Sequence, residues 1–316
     1  MIATLTLNPS LDLTASLKKV DLRDINRVPE IQRDPGGKGI NISRIIRRLK
    51  GSTVAYGFIG GYTGTKICEL LKKEGVRTDF VRIAGDNRSN ISIEITGKRG
   101  QIKINEDGPS VKAGDFRKLF SKLSALTRRD CLIISGSIPA GTDEDIYARI
   151  IRLMRRTGTK TVLDSDGEPF FRGVKEKPFL IKPNIFEAER LLKRITGRVF
   201  RICSEEELAE AACILACHSE IAIISWGARG IMAASKGRLW RLRPPVRLKR
   251  SGVGSGDAVV AGFTHAYMNN KGIEESLRQG IACGTASSIR KGTALCRPAD
   301  VSRLARKTTI TSLHSL

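Results

Sequence analysis

The chain of 316 residues holds only 4 tyrosines, 2 tryptophans and 3 histidines, and it sets 32 acidic residues against 55 lysines and arginines. Scarce tyrosine and tryptophan leave no aromatic platform on which single-stranded nucleic acid could stack. No apolar run approaches the roughly 20 residues that cross a bilayer. The opening MIATLTLNPSLDL reads as a strand and a turn and lacks the basic start and apolar stretch of a secretory leader, so a cytoplasmic protein is expected. The cysteines, at 68, 131, 203, 213, 217, 283 and 296, show no CxxC spacing. Cys213, Cys217 and His218 stand close together, but further zinc ligands are missing, so reduced and mostly buried thiols are expected. Neither GxxxxGK followed by Ser or Thr nor a true GxGxxG occurs, which argues against a P-loop enzyme and against a nicotinamide dehydrogenase.

What is abundant is positive charge, a formal +23. Such a balance invites a nucleic-acid partner. Yet in SRIIRRLK (43–50) and ARIIRLMRR (148–156) the basic residues alternate with an apolar face, as on a solvated helix surface. Nucleic-acid binding is therefore disfavoured as the main function, and a polyanionic small substrate or an unusual host cytoplasm accounts for the charge equally well.

Short β-like runs alternate with helical patterns, predicting an α/β fold with a mostly parallel sheet covered by helices on both faces. Strands are expected at Ile2–Leu7, Val54–Ile59, Cys131–Ser135, Thr161–Asp164, Phe179–Lys182 and Ile221–Ser225. Gly39–Leu49 carries Ile42, Ile45, Ile46 and Leu49 on one helical stripe. Ser204-Glu205-Glu206-Glu207 reads as a capping box, and a last helical stretch runs near Glu274–Arg290. Two segments break the rhythm: 12–34 is polar and extended, and NISIEI (90–95) with QIKI (101–104) around Gly97-Lys98-Arg99-Gly100 has a hairpin pattern. Residues 12–34 and 86–108 are expected to form a small β-sheet lid on a main domain made of 1–11, 35–85 and 109–316.

Four glycine-rich turns could carry chemistry. In GSGDAVVAGF (254–263) an aspartate stands where a glycine-rich turn becomes a helix. A helix N-terminus offers unpaired N–H groups and the positive end of a dipole, so it favours an anion. Asp257 is there either a plain helix cap or a general base beside an anion held by the amides of Gly254, Ser255 and Gly256. PGGKGINIS (35–43) opens another helix, with Lys38 and Asn41 as donors. SGSIPAG (135–141) and KPNIFE (182–187) each follow a strand, where open α/β sheets bind ligands. Asn184 and Glu187, three apart on one helix face, could hold a hydrated Mg²⁺, or be a cap and a solvated carboxylate.

In this order, TLNPSLD (6–12), GGKGIN (36–41), SGSIPAG (135–141), DSDGE (164–168), KPNIFE (182–187), SWGARG (225–230) and GVGSGD (252–257) resemble the blocks of the PfkB (ribokinase-like) carbohydrate kinase family. The first three together resemble its phosphofructokinase and tagatose-6-phosphate kinase branch. The resemblance covers nearly the whole chain and implies a ribokinase-like three-layer sandwich with a β-sheet lid. It implies ATP-dependent phosphoryl transfer, with Mg²⁺, to a primary hydroxyl of a ketohexose phosphate. Fructose 1-phosphate is the expected substrate, with fructose 6-phosphate and tagatose 6-phosphate as alternatives and a non-catalytic, nucleic-acid-binding relative as a distant one. By matching position, Asp257 would be the base and Gly254, Ser255 and Gly256 the anion hole. Asp12, Gly37, Lys38, Asn41, Arg88, Lys103 and Ser137 would bind the sugar phosphate. Asn184, Ser225, Gly227, Ser251, Gly254 and Gly256 would face the nucleotide, and Asn184 with Glu187 would organise the metal through water. A homodimer joined through the lid is expected, without membrane contact.

Overall fold

The Ile2–Thr6 strand is buried along its whole length, with Ala3 and Leu5 turned to one core and Ile2 to the other. A strand apolar on both sides must lie inside a covered parallel sheet. The computed structural model describes residues 1–95, 100–246, 248, 254–289 and 295–314. Among them eleven strands form one sheet, which runs from Ile310–His314 at one edge, through Ile221–Ser225, Lys160–Asp164, Cys131–Ser135 and Ile2–Thr6, to Thr53–Ile59 and Arg77–Thr78 at the other. Neighbours are parallel from Arg77–Thr78 as far as Ile221–Ser225. The last three, Ile231–Ser235, Arg238–Leu242 and Ile310–His314, are antiparallel.

Each face is covered by helices whose apolar stripes fit the sheet. On one side Lys38–Arg48 buries Ile42, Ile45 and Ile46 beside the helices Ser255–Met268, Gly272–Ser288 and Pro298–Lys307. On the other, Ile146–Thr157 buries Ile150, Ile151 and Met154, and Glu205–Ala216 buries Leu208 and Leu215. The capping box expected at Ser204 is present: its hydroxyl accepts the Glu207 N–H at 3.2 Å, and the Glu207 carboxylate accepts the Ser204 N–H at 2.9 Å.

A second, four-stranded sheet is separate, in the order Ile31–Gly36, Ser10–Leu17, Arg88–Ile95, Gly100–Asn105. The expected turn at Gly97-Lys98-Arg99 lies outside the described residues. The helix expected near Glu274–Arg290 spans Gly272–Ser288, and Arg290 lies outside the described residues. The antiparallel edge and the Pro298–Lys307 helix were not foreseen. Among the described residues no helix is long and apolar enough to cross a membrane.

Candidate active site

Parallel strands all deliver their loops to one end, and the glycine-rich segments gather there. Gly254 takes a left-handed conformation (φ 75°) that lets the chain turn into the Ser255–Met268 helix. The first helical amides thereby face a cavity of about 500 Å³. Asp257, in that first turn, is 6 % exposed and lines the same cavity. Around it stand Lys38, Asp164, Lys182, Asn184, Glu187 and Ser225. The volume suits a small-molecule site.

The two buried aspartates are held in opposite states. Burial pushes the Asp257 carboxyl up, the negative charge of Asp164 pushes it further, and Lys38, Asn41 and Lys182 pull it back, leaving it at about 6. Asn41 Nδ2 donates to Asp257 Oδ2 at 3.0 Å. Asp164 is also opposed by burial, but Lys182 and Lys38 outweigh that and hold its carboxyl below the usual range. Their ammonium nitrogens lie 3.5 Å and 3.2 Å from Asp164 Oδ1. Asp164 in turn raises the Lys38 ammonium above its ordinary value. A poised carboxylate beside a fixed one is an arrangement suited to accepting a proton near neutral pH.

Lys182 also touches the amide cradle. A Cβ placed on Gly256 would lie 3.3 Å from Lys182 Nζ, so the ammonium sits against the backbone that opens the helix. Amides, dipole and ammonium together can stabilise an anion whose charge grows during reaction. Sequence reasoning named neither Lys182 nor Asp164 as site residues, although both stand in quoted blocks, DSDGE and KPNIFE. The available signal was position: Asp164 closes a strand that ends at the cavity, and Lys182 directly follows another.

Asn184 and Glu187 are both a cap and part of the site. Asn184 Oδ1 accepts the Glu187 N–H at 2.9 Å, and Glu187 Oε2 accepts the Asn184 N–H at 2.8 Å. Glu187 is buried, at 8 % exposure, rather than solvated. Asp164 Oδ2 is buried and has no hydrogen-bond partner among the described residues. Ser225 pairs by a backbone bridge with Asn184, and Gly227 (φ 54°) starts the short turn beyond it. Ser251, with Gly252 and Val253, lies outside the described residues.

The remaining predicted residues lie near the small sheet. Asp12 Oδ1 accepts from Ser10 Oγ at 2.8 Å and from Asn90 Nδ2 at 2.9 Å. Gly36 has no room for a side chain, since a Cβ there would fall 2.3 Å from Asp12 Oδ2. Gly37 (φ 109°) precedes the helix that carries Lys38 and Asn41, and so links Asp12 to Asp257 through one turn of chain. Arg88 lines a different cavity of about 610 Å³ and donates to the Asn8 and Glu106 carbonyls at 3.2 and 3.3 Å. Lys103 is exposed on the Gly100–Asn105 strand, opposite Ser92, and Ser137 is exposed in the loop after Cys131–Ser135. Asp12, Arg88, Lys103 and Ser137 therefore do not line the cavity around Asp257.

A family model described as pfkB family carbohydrate kinase matches residues 5–300. A 1-phosphofructokinase of Borreliella burgdorferi is 34 % identical over 306 residues, covering 96 % of both chains. A tagatose-6-phosphate kinase of Staphylococcus epidermidis is 32 % identical over 298 residues, covering 93 % of this chain and 94 % of that one. The structure of phosphofructokinase-2 from Escherichia coli in complex with fructose-6-phosphate superposes with a TM-score of 0.88 at 27 % identity, covering 96 % of this chain and 98 % of the other.

Proposed function

The chain belongs to the pfkB family of carbohydrate kinases and is a phosphotransferase, and we propose that it transfers the γ-phosphoryl group of ATP to fructose 1-phosphate, giving fructose 1,6-bisphosphate and ADP. The observation that carries this is the buried Asp257 carboxylate, poised at about 6, at the mouth of a glycine-opened helix and beside the buried Lys182 and the half-buried Lys38. In this reading Asp257 accepts the proton of the sugar's free primary hydroxyl, and the oxygen attacks the γ-phosphorus as the bond to ADP breaks. The amides of Ser255 and Gly256, turned inward by Gly254, hold the migrating phosphoryl group, and Lys182 and Lys38 neutralise its charge. Such chemistry asks mostly for positioning and charge stabilisation.

Asn184, Ser225, Gly227 and Ser251 take the nucleotide side. Mg²⁺ fits the donor set, because Asp164 Oδ2 is an unpartnered buried carboxylate oxygen and Glu187 lines the same cavity. Asp164, Glu187 and Asn184 would hold it with several of its waters. When bound it shields the phosphate charges. Asp12, Gly37 and Asn41 take the sugar hydroxyls, and Arg88, Lys103 and Ser137 the phosphate already on the sugar. The small sheet acts as a lid (residues 12–34 and 86–108) whose closure brings Arg88 toward Asp257, and a homodimer forms through it. The setting is cytoplasmic.

A coupled ADP-release assay with fructose 1-phosphate, fructose 6-phosphate and tagatose 6-phosphate tests the proposal. The highest kcat/KM is expected for fructose 1-phosphate. A higher value for either of the others reassigns the substrate, and no turnover of any of them overturns the kinase reading.

A further inference from the structure

The same strand polarity that collects the active-site loops at one end collects the turns before the strands at the other. Those turns form one continuous rim. Arg77 reaches Ser52 Oγ at 3.3 Å, Met1 N lies 3.1 Å from Asp130, Thr159 Oγ1 donates to the Thr127 carbonyl at 3.0 Å, and Ser235 Oγ donates to the Glu220 carbonyl at 2.7 Å. In sheet order the turns and the first strand residues carry Arg77, Lys50, Arg128, Lys160, Lys177 and Lys236. All but Lys160 are exposed, and the Lys160 ammonium lies over the Phe179 ring. The acids on this rim are mostly occupied: Asp130 by the Met1 ammonium, Glu74 by Arg44 and Glu176 by Arg152 and Arg155, while Glu220 is exposed. At about 4.8 Å per strand the cations follow a line about 35 Å long. Its far end opens into a cavity of about 760 Å³ lined by Lys236, Arg238, Lys271 and Arg278 together with Glu274 and Glu275.

A second observation concerns the backbone. Among the described residues four non-glycine residues have positive φ: Lys50 (64°), Lys177 (51°), Lys236 (47°) and Asn270 (59°). Three are lysines, and all three stand on this rim. Glycine or asparagine is the residue type that such a turn favours, so a lysine there holds a strained backbone. None of the three ammonium groups has an ion-pair partner among the described residues. Strain kept at several sites of one surface points to a use for the side chains.

We infer that this rim binds single-stranded nucleic acid through its phosphates. Three features select that partner. The cations lie along a line rather than across a plane, and the sheet's twist curves that line, so a flexible strand can follow it where a stiff duplex or a flat bilayer touches it only in part. Of the large apolar side chains exposed among the described residues only Met1 stands on the rim, so a bilayer gains no insertion there. Exposed aromatics are likewise missing from it, so bases are not stacked and recognition is independent of sequence. The scarcity of aromatics that disfavoured nucleic acid as the main function thus restricts the mode of contact instead. The rim lies at the opposite end of the strands from Asp257, and the inference does not rest on the kinase reading.

The test titrates the full chain into a labelled oligouridylate across a KCl series, read by fluorescence anisotropy. Six phosphate contacts at about 0.7 each give a slope of log K against log salt of about −4. The variant K50G/K177G/K236G removes three charges and the backbone strain together, so its melting temperature is expected not to fall. At about 0.1 M salt each lost contact weakens binding about fivefold, about a hundredfold in total. ADP release is expected to be unchanged, and K50R/K177R/K236R to keep the wild-type affinity. No binding at the lowest salt, undiminished affinity in the glycine variant, tighter binding of duplex DNA, or binding confined to phosphatidylserine vesicles would each overturn the inference.

Discussion

Replacing Asp257 by asparagine separates what the carboxylate does for the reaction from what its charge costs the fold. The Asp257 carboxyl stands at about 6 against an ordinary 3.8, a difference of roughly 2 units. That corresponds to about 3 kcal/mol of folding free energy lost when it ionises. The sign follows from which state holds the proton more tightly. The folded state does, so its stability is greatest below about pH 4, falls as pH rises from about 4 through about 6, and is level above that. The asparagine side chain carries no charge, yet its oxygen can still accept the Asn41 N–H that Asp257 accepts at 3.0 Å. Asp257→Asn should therefore gain almost nothing near pH 4 and about 3 kcal/mol above about pH 7. For 316 residues the unfolding entropy is about 660 cal/mol/K, so the gain appears as a rise in Tm of about 4–5 °C. Turnover should fall by about two to four orders of magnitude. Scanning calorimetry across this pH range, beside the ADP-release assay, measures both. A Tm gain independent of pH, or a lower Tm at neutral pH, refutes the electrostatic account of the site.

Other perturbations read the same site from different sides. The acid limb of kcat/KM should lie near 6, where Asp257 loses its proton. It should move below that in Asp164→Asn, which removes a repelling charge, and above it in Lys38→Met, which removes an attracting one; pH profiles that coincide reject the coupling. Gly256→Ala places a methyl 3.3 Å from Lys182 Nζ, so kcat should drop about tenfold with the sugar-phosphate KM nearly unchanged. Steady-state kinetics showing only a KM change would move Lys182 away from the phosphoryl group. Arg88→Ala should raise the sugar-phosphate KM by roughly 10- to 100-fold and leave the ATP KM alone, as the loss of a charge-assisted contact does. Equal effects on both would mean that Arg88 serves the nucleotide.

The class of fold and the family were legible in residue order alone. Period-2 and period-3.6 patterns depend on neighbours a few residues apart, which is why the buried strands and the Ile42–Ile45–Ile46 stripe were legible. Glycine-rich turns are equally local, so Gly254 and the Asn184–Glu187 cap could be read where they stand. Which charges meet became visible only in the folded chain. Lys38, Asp164, Lys182 and Asp257 come from four distant segments, and nothing in their spacing says that Asp164 is ionised between two ammonium groups while Asp257 is held near 6. Burial and Coulomb interactions act through space, at distances that the chain order does not record. The cationic rim has the same origin: lysines and arginines that look like scattered surface charge in the sequence are brought into line because parallel strands begin at one edge.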